Sequence, residues 1–332
     1  MNTKNIIFPA AQVVEVREEE LAPLQPGEVR CKARKSLIST GTETLCLRGI
    51  FDTNTNWESW VQYPFNPGYS MAAEIIEVGE GVEGLKVGDR ITSNMSHRQY
   101  FNTHASNAKL IPDGISDEQA SWLTLGQITQ VGTRRAELKL GESVAIIGQG
   151  LLGQLVVQYM RAAGARHIIV IDQAESRLEF SRKSGATHTI CAGADVAAEE
   201  VRRITGGSMC DVVYDITGHP AVLAPATLLA KEMGRVVLLG DTTQPSQQVI
   251  GPRVVSNSVA ILGVHASMTR NYNGVTGDQM TAVFYDYLLQ GRMNLEHLMT
   301  HTYSPLEAPA AYDFLMKDRT SAIGVMFDWD LL

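Results

Sequence analysis

Residues 148–153 read Gly-Gln-Gly-Leu-Leu-Gly and directly follow the run Ser143–Ile147, which predicts a buried strand that turns into a helix. Gly148 permits a tight turn, Gly150 lets the backbone approach a pyrophosphate, and Gly153 lets the helix pack on the strand. The amide hydrogens and partial positive charge at the start of a helix favour phosphate groups. The predicted dinucleotide contacts in this turn are Gly148, Gly150, Leu151, Leu152 and Gly153.

A second predicted strand ends in Asp172, 19 residues after Gly153. A carboxylate in this place accepts hydrogen bonds from the ribose hydroxyls and repels a 2′-phosphate, so it favours NAD over NADP. Gln173 follows it, and no arginine stands immediately beside it. Arg177 lies five residues beyond Asp172 and is expected to flank the adenosine. The sequence therefore predicts NAD as the cofactor.

Two further turns follow predicted strands, Asp215-Ile216-Thr217-Gly218 and Leu239-Gly240-Asp241. Ligands of open α/β sheets bind outside the carboxyl ends of the strands. Thr217 and Gly240 are therefore predicted to contact the cofactor, with Asp241 as a further candidate. The alternative is that both are ordinary strand-to-helix turns.

The elements that carry these residues differ between two parts of the chain. Residues 1–122 consist of short alternating segments separated by turn signals, which predicts a mainly β domain. Residues 141–264 alternate strand-like runs with helical patterns, which predicts an α/β doubly wound parallel sheet. One of the predicted helices is Ala221–Met233. A helix near 306–316 and a strand near 323–328 are expected to return to the first domain.

Composition excludes several classes of partner. Hydrophobic residues make up 44% of the chain and charged residues 19%, with a net charge of −8. Since there is no run of basic residues, neither nucleic acid nor an anionic membrane is an expected partner. No apolar stretch is long enough to span a membrane, and no secretory signal is evident. The four cysteines form no Cys-x-x-Cys pair, which favours free thiols in a cytoplasmic protein.

Several motifs along the chain occur in the order and at the spacing that are typical of one protein superfamily. They are Gly41-Thr42-Glu43, Pro67-Gly68, Val78-Gly79, Val87-Gly88-Asp89-Arg90, Gly148–Gly153, Asp172 with Arg177-Leu178-Glu179, and Leu306-Glu307-Ala308-Pro309. In these motifs the chain resembles the medium-chain dehydrogenase/reductase superfamily. The resemblance implies a GroES-like catalytic domain from residues 1–124 and 286–332 and a Rossmann domain from residues 125–285. It also implies homodimers or homotetramers through the edges of the Rossmann sheet, with Val259–Val264 as the edge strand.

The zinc ligands of this superfamily are replaced. Zinc alcohol dehydrogenases carry a cysteine where this chain has Thr40, and a histidine where it has Tyr69. Their third ligand falls near residues 125–127, which here are Leu-Gly-Gln, and the four-cysteine zinc lobe is missing between residues 89 and 100. Because a catalytic zinc needs three thiolate, imidazole or carboxylate ligands, no metal site is expected. Residues 38–43 resemble a zinc-free branch that includes bacteriochlorophyllide dehydrogenases.

Without zinc, a side chain must polarise the carbinol oxygen and carry its proton. Tyr69 is one candidate, and the alternative is a packing tyrosine. His97 precedes a segment that reaches the substrate cleft in the superfamily, and its imidazole suits proton transfer, unless it is an exposed loop histidine. Thr40 could hydrogen-bond the substrate oxygen or only stabilise a turn. Glu43 matches an acid that orients a metal ligand in relatives, and here it is expected to form a salt bridge or to orient Tyr69.

Two more residues are expected beside the nicotinamide ring. Thr129 matches a threonine that lies there in the superfamily, although its hydroxyl could instead bond within a helix. His265 follows the last predicted strand of the Rossmann sheet and is expected to approach the same ring.

Together these features predict zinc-independent hydride transfer between NAD and a secondary alcohol or ketone, with a polyhydroxylated substrate such as a sugar or cyclitol. One rival function is that of an enone or quinone reductase, which would use NADPH. Asp172 argues against this function, because its carboxylate disfavours NADPH. A second rival is an NAD-binding protein without catalysis. NADPH use would favour the first rival, and tight NADH binding without turnover would favour the second.

Overall fold

The computed structural model describes residues 1–332 and divides them into two compact units. The first unit comprises Met1–Ile50, Glu58–Thr124 and Leu298–Leu332. The second unit comprises Phe51–Trp57 and Leu125–His297.

The chain forms seventeen strands. They are β1 (Asn2–Ile7), β2 (Glu15–Glu20), β3 (Glu28–Ile38), β4 (Met71–Val78), β5 (Arg90–Ser93), β6 (Tyr100–His104), β7 (Lys109–Leu110), β8 (Ser143–Ile147), β9 (His167–Asp172), β10 (His188–Cys191), β11 (Cys210–Asp215), β12 (Ala230–Leu238), β13 (Ala260–Gly263), β14 (Asn271–Tyr272), β15 (Val275–Thr276), β16 (Met299–Tyr303) and β17 (Gly324–Asp328).

Eleven α-helices accompany these strands. They are α1 (Thr42–Arg48), α2 (Asn56–Trp60), α3 (Asp117–Ala120), α4 (Leu123–Ala136), α5 (Leu151–Ala162), α6 (Glu175–Ser184), α7 (Ala198–Ile204), α8 (Leu223–Leu229), α9 (Arg253–Ser256), α10 (Gly277–Leu289) and α11 (Ala308–Lys317). None of these helices has the length and apolarity that a membrane span requires.

The first unit is built on a seven-stranded sheet around the long strand β3. The strand order is β16–β17–β3–β4–β5–β7, and β6 also pairs with β3. Alternate residues of β3 point into the core, where Val29, Cys31 and Ala33 are fully buried. The segment after β3 leads into α1, so the sheet fixes the position of residues 39–43.

The second unit contains a six-stranded, entirely parallel sheet in the order β10–β9–β8–β11–β12–β13. Every residue of β8 is buried, as expected for a central strand covered on both faces. Helices α5, α6 and α8 pack on β8, β9 and β11. The strand order reverses between β8 and β11, and such a switch point is where this fold binds ligands. The predicted fold class is confirmed.

One predicted helix differs from the structure. The pattern predicted a helix over Ala221–Met233, but α8 ends at Leu229 and β12 begins at the next residue. Ala230 pairs with Cys210 of β11, and regular pairing resumes at Arg235 after an irregularity in which Met233 has a φ of +57°. Pairing with a buried neighbouring strand therefore overrides the local helix propensity.

The second predicted domain boundary also differs. The chain returns to the first unit at Leu298, whereas the sequence predicted the return at residue 286. Helix α10 crosses residue 286 and packs within the second unit. There the side chain of Gln130 donates a hydrogen bond to the carbonyl of Met280 over 2.7 Å, and Phe284 is fully buried. The predicted boundary would have cut a helix whose packing is continuous.

Candidate functional site

The glycine-rich turn lies between β8 and α5, at the switch point of the parallel sheet. Gly148 has a φ of +94°, and a Cβ at Gly153 would lie 2.2 Å from the carbonyl oxygen of Gly148. Gly150 begins α5 without a side-chain cap, and a Cβ there would meet nothing within 4 Å. Leu151 and Leu152 form the first turn of the helix. Space is therefore open beside Gly150 at the N-terminus of α5, and this is the arrangement that fits a pyrophosphate.

Asp172 ends β9 next to this turn. Its Oδ2 accepts a hydrogen bond from the amide of Gln149 at 2.8 Å, and its Oδ1 accepts one from the amide of Ala174 at 2.9 Å. Nη1 of Arg177 lies 3.8 Å from Oδ2, and Gln173 is exposed. Each carboxylate oxygen has two lone pairs, so both can still accept a ribose hydroxyl. The structure therefore brings together the predicted acid, the predicted arginine and the glycine turn.

A buried polar network, which the sequence analysis missed, lies beneath the turn between α5 and α6. Nε2 of Gln154 donates to the carbonyl of Gln149 at 3.2 Å and to Oγ of Ser181 at 3.0 Å. Ser181 donates to Oε1 of Gln149 at 2.9 Å. Ser184 donates to Oε1 of Gln154 at 3.1 Å and lies 2.9 Å from Nε2 of His297. The sequence feature that could have predicted this network is the presence of two glutamines in the otherwise mainly apolar helix α5.

The ends of β11 and β12 lie beside the glycine turn. The hydroxyl of Thr217 donates to Oδ1 of Asp215 over 2.7 Å, and a Cβ at Gly148 would lie 2.9 Å from Cγ2 of Thr217. The amide of Gly240 donates to the carbonyl of Asp215 at 3.0 Å. Burial raises the pKa of the Asp215 carboxyl. Thr217 and Gly240 thus stand at the edge where a cofactor contact was predicted, and that contact stays a prediction.

The two residues expected at the nicotinamide differ in position. Thr129 is fully buried in α4, and its hydroxyl donates to the carbonyl of Leu125 at 2.6 Å. Because this hydroxyl is used inside its own helix, the expected contact with the nicotinamide is corrected to a structural role. His265 is exposed after β13, and its Nδ1 accepts a hydrogen bond from the amide of Ser267 at 3.2 Å.

In the first unit, the carboxylate of Glu43 is the centre of a buried polar cluster. Its Oε1 accepts a hydrogen bond from the amide of Ser39 at 2.7 Å. Its Oε2 lies 3.1 Å from Nε2 of His97 and accepts a hydrogen bond from the hydroxyl of Tyr312. Burial and the nearby carboxylate raise the pKa of Tyr312 far above its usual range. Because a buried carboxylate is costly without donors, these three groups hold Glu43 in one position.

The expectation that His97 exchanges a proton with the substrate disagrees with the structure. Its side chain is buried, with Nδ1 2.8 Å from Oγ of Ser36 and Nε2 directed at Glu43. The ring packs edge-on against Phe327 at 5.1 Å, and a Cβ at Gly68 would lie 2.7 Å from it. Neither ring nitrogen is accessible to a substrate, so His97 is corrected to a positioning residue for Glu43.

Tyr69 is half-buried and belongs to a cluster of hydroxyl groups. Its phenol donates a hydrogen bond to Oγ of Ser39 at 2.6 Å and lies 3.3 Å from Oγ1 of Thr42. Burial raises the pKa of Tyr69 to about 12, so the phenol keeps its proton near neutral pH. Ser39 and Thr42 were not among the predicted residues, because no spacing in the sequence connects them to Tyr69.

Thr40 is buried at the turn between β3 and α1. Its carbonyl accepts hydrogen bonds from the hydroxyl of Thr44 at 2.7 Å and from Nη1 of Arg319 at 2.9 Å. These contacts fix the backbone that carries Ser39 and Thr42. A direct contact between Thr40 and a substrate stays a prediction.

The donor set of the first unit does not fit a zinc ion. The positions of the expected metal ligands carry the hydroxyl groups of Thr40 and Tyr69. Zinc in proteins is held by thiolate, imidazole and carboxylate groups. No group of three or more His, Cys, Asp or Glu side chains in the chain is arranged to hold a metal ion.

Comparison with known proteins gives consistent matches in both units. The alcohol dehydrogenase GroES-like domain matches residues 25–116, and the zinc-binding dehydrogenase family matches residues 152–277. Sorbitol dehydrogenase of Bacillus subtilis is 27% identical over 80% of this chain and 81% of its own. L-threonine 3-dehydrogenase of Pyrococcus abyssi is 28% identical over 95% of both chains. An alcohol dehydrogenase from Escherichia coli, crystallised with NADH, superposes with a TM-score of 0.83 at 23% identity over 98% of this chain and 99% of its own.

Proposed function

The chain belongs to the zinc-type alcohol dehydrogenase superfamily, and on this basis we propose that it is an NAD(H)-dependent, zinc-independent dehydrogenase that interconverts a secondary alcohol and a ketone. The observation that carries the proposal is the hydrogen bond of Tyr69 to Ser39, with Thr42 close by, in the place where relatives hold their metal. A protonated phenol is able to polarise a carbonyl oxygen without a Lewis acid.

The second unit supplies the residues that would hold the cofactor. The amides of Gly150, Leu151 and Leu152 would face the phosphates, and Asp172 would accept hydrogen bonds from the ribose hydroxyls. Arg177 would flank the adenosine. When bound, the nicotinamide supplies the hydride chemistry that no side chain can provide. The preference for NAD over NADP rests on Asp172.

The first unit supplies the residue that would carry the proton. During ketone reduction, the phenol hydrogen of Tyr69 turns from Ser39 to the oxygen of the substrate and is transferred as the carbinol forms. The hydroxyl of Ser39 or Thr42 then passes a proton to Oη and takes up one from water, and alcohol oxidation runs the same transfers in reverse. Glu43 acts at a distance, since it holds the amide of Ser39 and thereby the hydroxyl that meets Tyr69.

A polyhydroxylated substrate is part of the proposal. Sorbitol dehydrogenase is among the similar proteins, and its name describes a reaction on one hydroxyl of a polyol. A site built from hydroxyl groups supports the same class of substrate, because it can both donate and accept hydrogen bonds.

Self-association through the edge of the parallel sheet is also proposed. The strand β13, which corresponds to the predicted edge strand Val259–Val264, lies at one end of the strand order. An edge strand leaves N–H and C=O groups unpaired, and pairing with a second copy would satisfy them. Light scattering of the purified protein would give the number of chains.

The experiment that tests the function combines elemental analysis, coenzyme titration and a substrate panel on one purified sample. We expect zinc far below one ion per chain, tighter binding of NADH than of NADPH, and oxidation of polyols with NAD. Stoichiometric zinc would overturn the metal-free mechanism. Activity on enones with NADPH would replace the proposal with the reductase, and NADH binding without any turnover would replace it with a non-catalytic protein.

A further inference from the structure

The turn that follows β12 places Asp241 at the ligand-binding edge of the parallel sheet. A Cβ at Gly240 would lie 2.5 Å from the carbonyl oxygen of Ile216, and a Cβ at Gly218 would lie 2.4 Å from that of Asp241. The turns after β11 and β12 are therefore in direct backbone contact, which only glycine permits. The side chain of Asp241 is exposed, so its carboxylate is available to a ligand.

An aromatic pair from a distant part of the sequence belongs to the same compact unit. The amide of Asp52 donates to the carbonyl of Thr243 at 2.9 Å, and the amide of Ser246 donates to Oδ2 of Asp52 at 2.7 Å. These bonds hold residues 51–57 against the segment that follows Asp241. The rings of Phe51 and Trp57 stack there, with centroids 6.1 Å apart and planes 12° from parallel.

The turn that carries His265 leaves the sheet beside the turn that carries Asp241. The strands β12 and β13 are parallel neighbours with Leu238 opposite Gly263, and the amide of Val264 donates a hydrogen bond to the carbonyl of Leu238 at 3.0 Å. Asp241 and His265 therefore follow the carboxyl ends of adjacent strands, at the edge where ligands of such sheets bind. Together with residues 51–57, they belong to segments that are far apart in the sequence.

His265 is held in a tautomer that donates. Its Nδ1 accepts a hydrogen bond from the amide of Ser267 at 3.2 Å. A neutral imidazole carries its hydrogen on the other nitrogen when one nitrogen accepts, so Nε2 bears the N–H. The exposed edge of His265 therefore carries a hydrogen-bond donor, at the same edge of the parallel sheet as the carboxylate of Asp241.

We propose that Asp241 and His265, backed by the aromatic pair Phe51 and Trp57, form the subsite that recognises the non-reacting hydroxyl groups of a polyhydroxylated substrate. This inference rests on the proposed function and reassigns His265 from the cofactor to the substrate. A carboxylate accepts from hydroxyl hydrogens, Nε2–H donates to hydroxyl oxygens, and the aromatic rings cover the carbon chain. An ammonium group fits less well, because it has only donors and would face the N–H of His265.

The test uses matched substrates that differ in their additional hydroxyl groups. These are myo-inositol against cyclohexanol and sorbitol against 2-hexanol, each with NAD. Asp241→Asn and His265→Ala should each raise the KM for the polyol about tenfold or more, because each removes a hydrogen bond that involves a charged or strongly polar group. The kcat/KM for the simple alcohol and the Kd of NADH should stay within about twofold. Glu232→Gln, an exposed acid at the other end of β12, is the control and should change neither value.

Two results would overturn the subsite. One is an equal loss on the polyol and on the simple alcohol, and the other is a weaker Kd for NADH, which would make Asp241 or His265 a cofactor residue. If the wild-type protein oxidises none of these alcohols, the proposed function fails, and calorimetric titration of sorbitol and myo-inositol into the NADH-saturated protein decides about the subsite. Binding by wild type that Asp241→Asn abolishes supports it, whereas binding by neither protein or by both rejects it.

Discussion

The hydroxyl of Tyr312 donates a hydrogen bond to the carboxylate of Glu43, although 269 residues separate the two in the sequence. Both side chains are buried, and the same carboxylate also receives the amide of Ser39 and the imidazole of His97. The helix α11, which carries Tyr312, therefore completes a cluster whose other members follow β3 and β5. The position of Ser39, and through it that of Tyr69, depends on this cluster.

Tyr312→Phe should destabilise the protein by about 1–3 kcal/mol, because it leaves an oxygen of the buried Glu43 carboxylate without its donor. Denaturant unfolding of both proteins measures the difference. Tyr303→Phe, a half-buried tyrosine in the same unit, is the matched control and should change the free energy of unfolding by much less. Equal effects of the two substitutions would mean that the contact with Glu43 contributes no net stability.

Tyr69→Phe should lower kcat by about 10²- to 10⁴-fold, the usual contribution of a general acid or base. The Kd of NADH should not change, because Tyr69 lies outside the unit that carries the glycine turn. Stopped-flow turnover and fluorescence titration measure the two quantities. A fully active Tyr69→Phe variant would remove the phenol from the proton path.

Asp172→Ala should weaken NADH binding by about tenfold or more and should reduce discrimination against NADPH, since the carboxylate both accepts from the ribose hydroxyls and repels a phosphate. Titration of both coenzymes gives the ratio. Glu179→Gln, an exposed acid on the helix that follows Asp172, serves as the control for a general change in charge. An unchanged ratio in Asp172→Ala would show that coenzyme choice is made elsewhere.

Gln154→Leu should weaken NADH binding as well as stability. Gln154 links the carbonyls of Gln149 and Arg177, at 3.2 and 3.1 Å, so its loss frees both the glycine turn and the helix that carries the arginine. Gln158→Leu is a matched control, because Gln158 is a buried glutamine of the same helix but bonds to Asn294. Both variants should unfold at lower denaturant, and only Gln154→Leu should alter the Kd of NADH. A shift of equal size in both would indicate a purely structural network.

Stability should fall in alkaline solution. Burial raises the pKa of Tyr69, Tyr159, Tyr214 and Tyr312, so the folded protein binds more protons than the unfolded chain above the ordinary tyrosine pKa. The stabilisation is complete below about pH 10 and is lost as the pH rises through the folded values. Denaturant unfolding at several pH values, with phenolate absorbance at 295 nm, checks this. Deprotonation of all 10 tyrosines before unfolding would contradict it.

Local motifs correctly predicted that the glycine turn lies beside Asp172, and distant contacts explain where other predictions failed. The glycine turn and Asp172 lie within one strand–helix–strand unit, so their spacing in the sequence fixes their spacing in space. Tyr69 meets Ser39 through the pairing of β3 with β4, which no local pattern reveals. Similarly, Thr129 has a suitable side chain, but its hydroxyl bonds within its own helix. Residue types thus indicated the chemistry, whereas burial decided which residues can take part in it.

The chain begins in the first unit, passes through the second unit and returns to the first. The two units are therefore completed at different times during translation. The second unit is fully synthesised once His297 has been added, whereas the sheet of the first unit still lacks β16 and β17 at that point. The strand β3 is synthesised early, and one of its edges pairs with β17 in the interior of this sheet. That edge of β3 therefore stays unpaired until β17 has been synthesised. The unit that carries the glycine turn is thus able to fold first, and the sheet of the unit that carries Tyr69 and Glu43 is completed only after it.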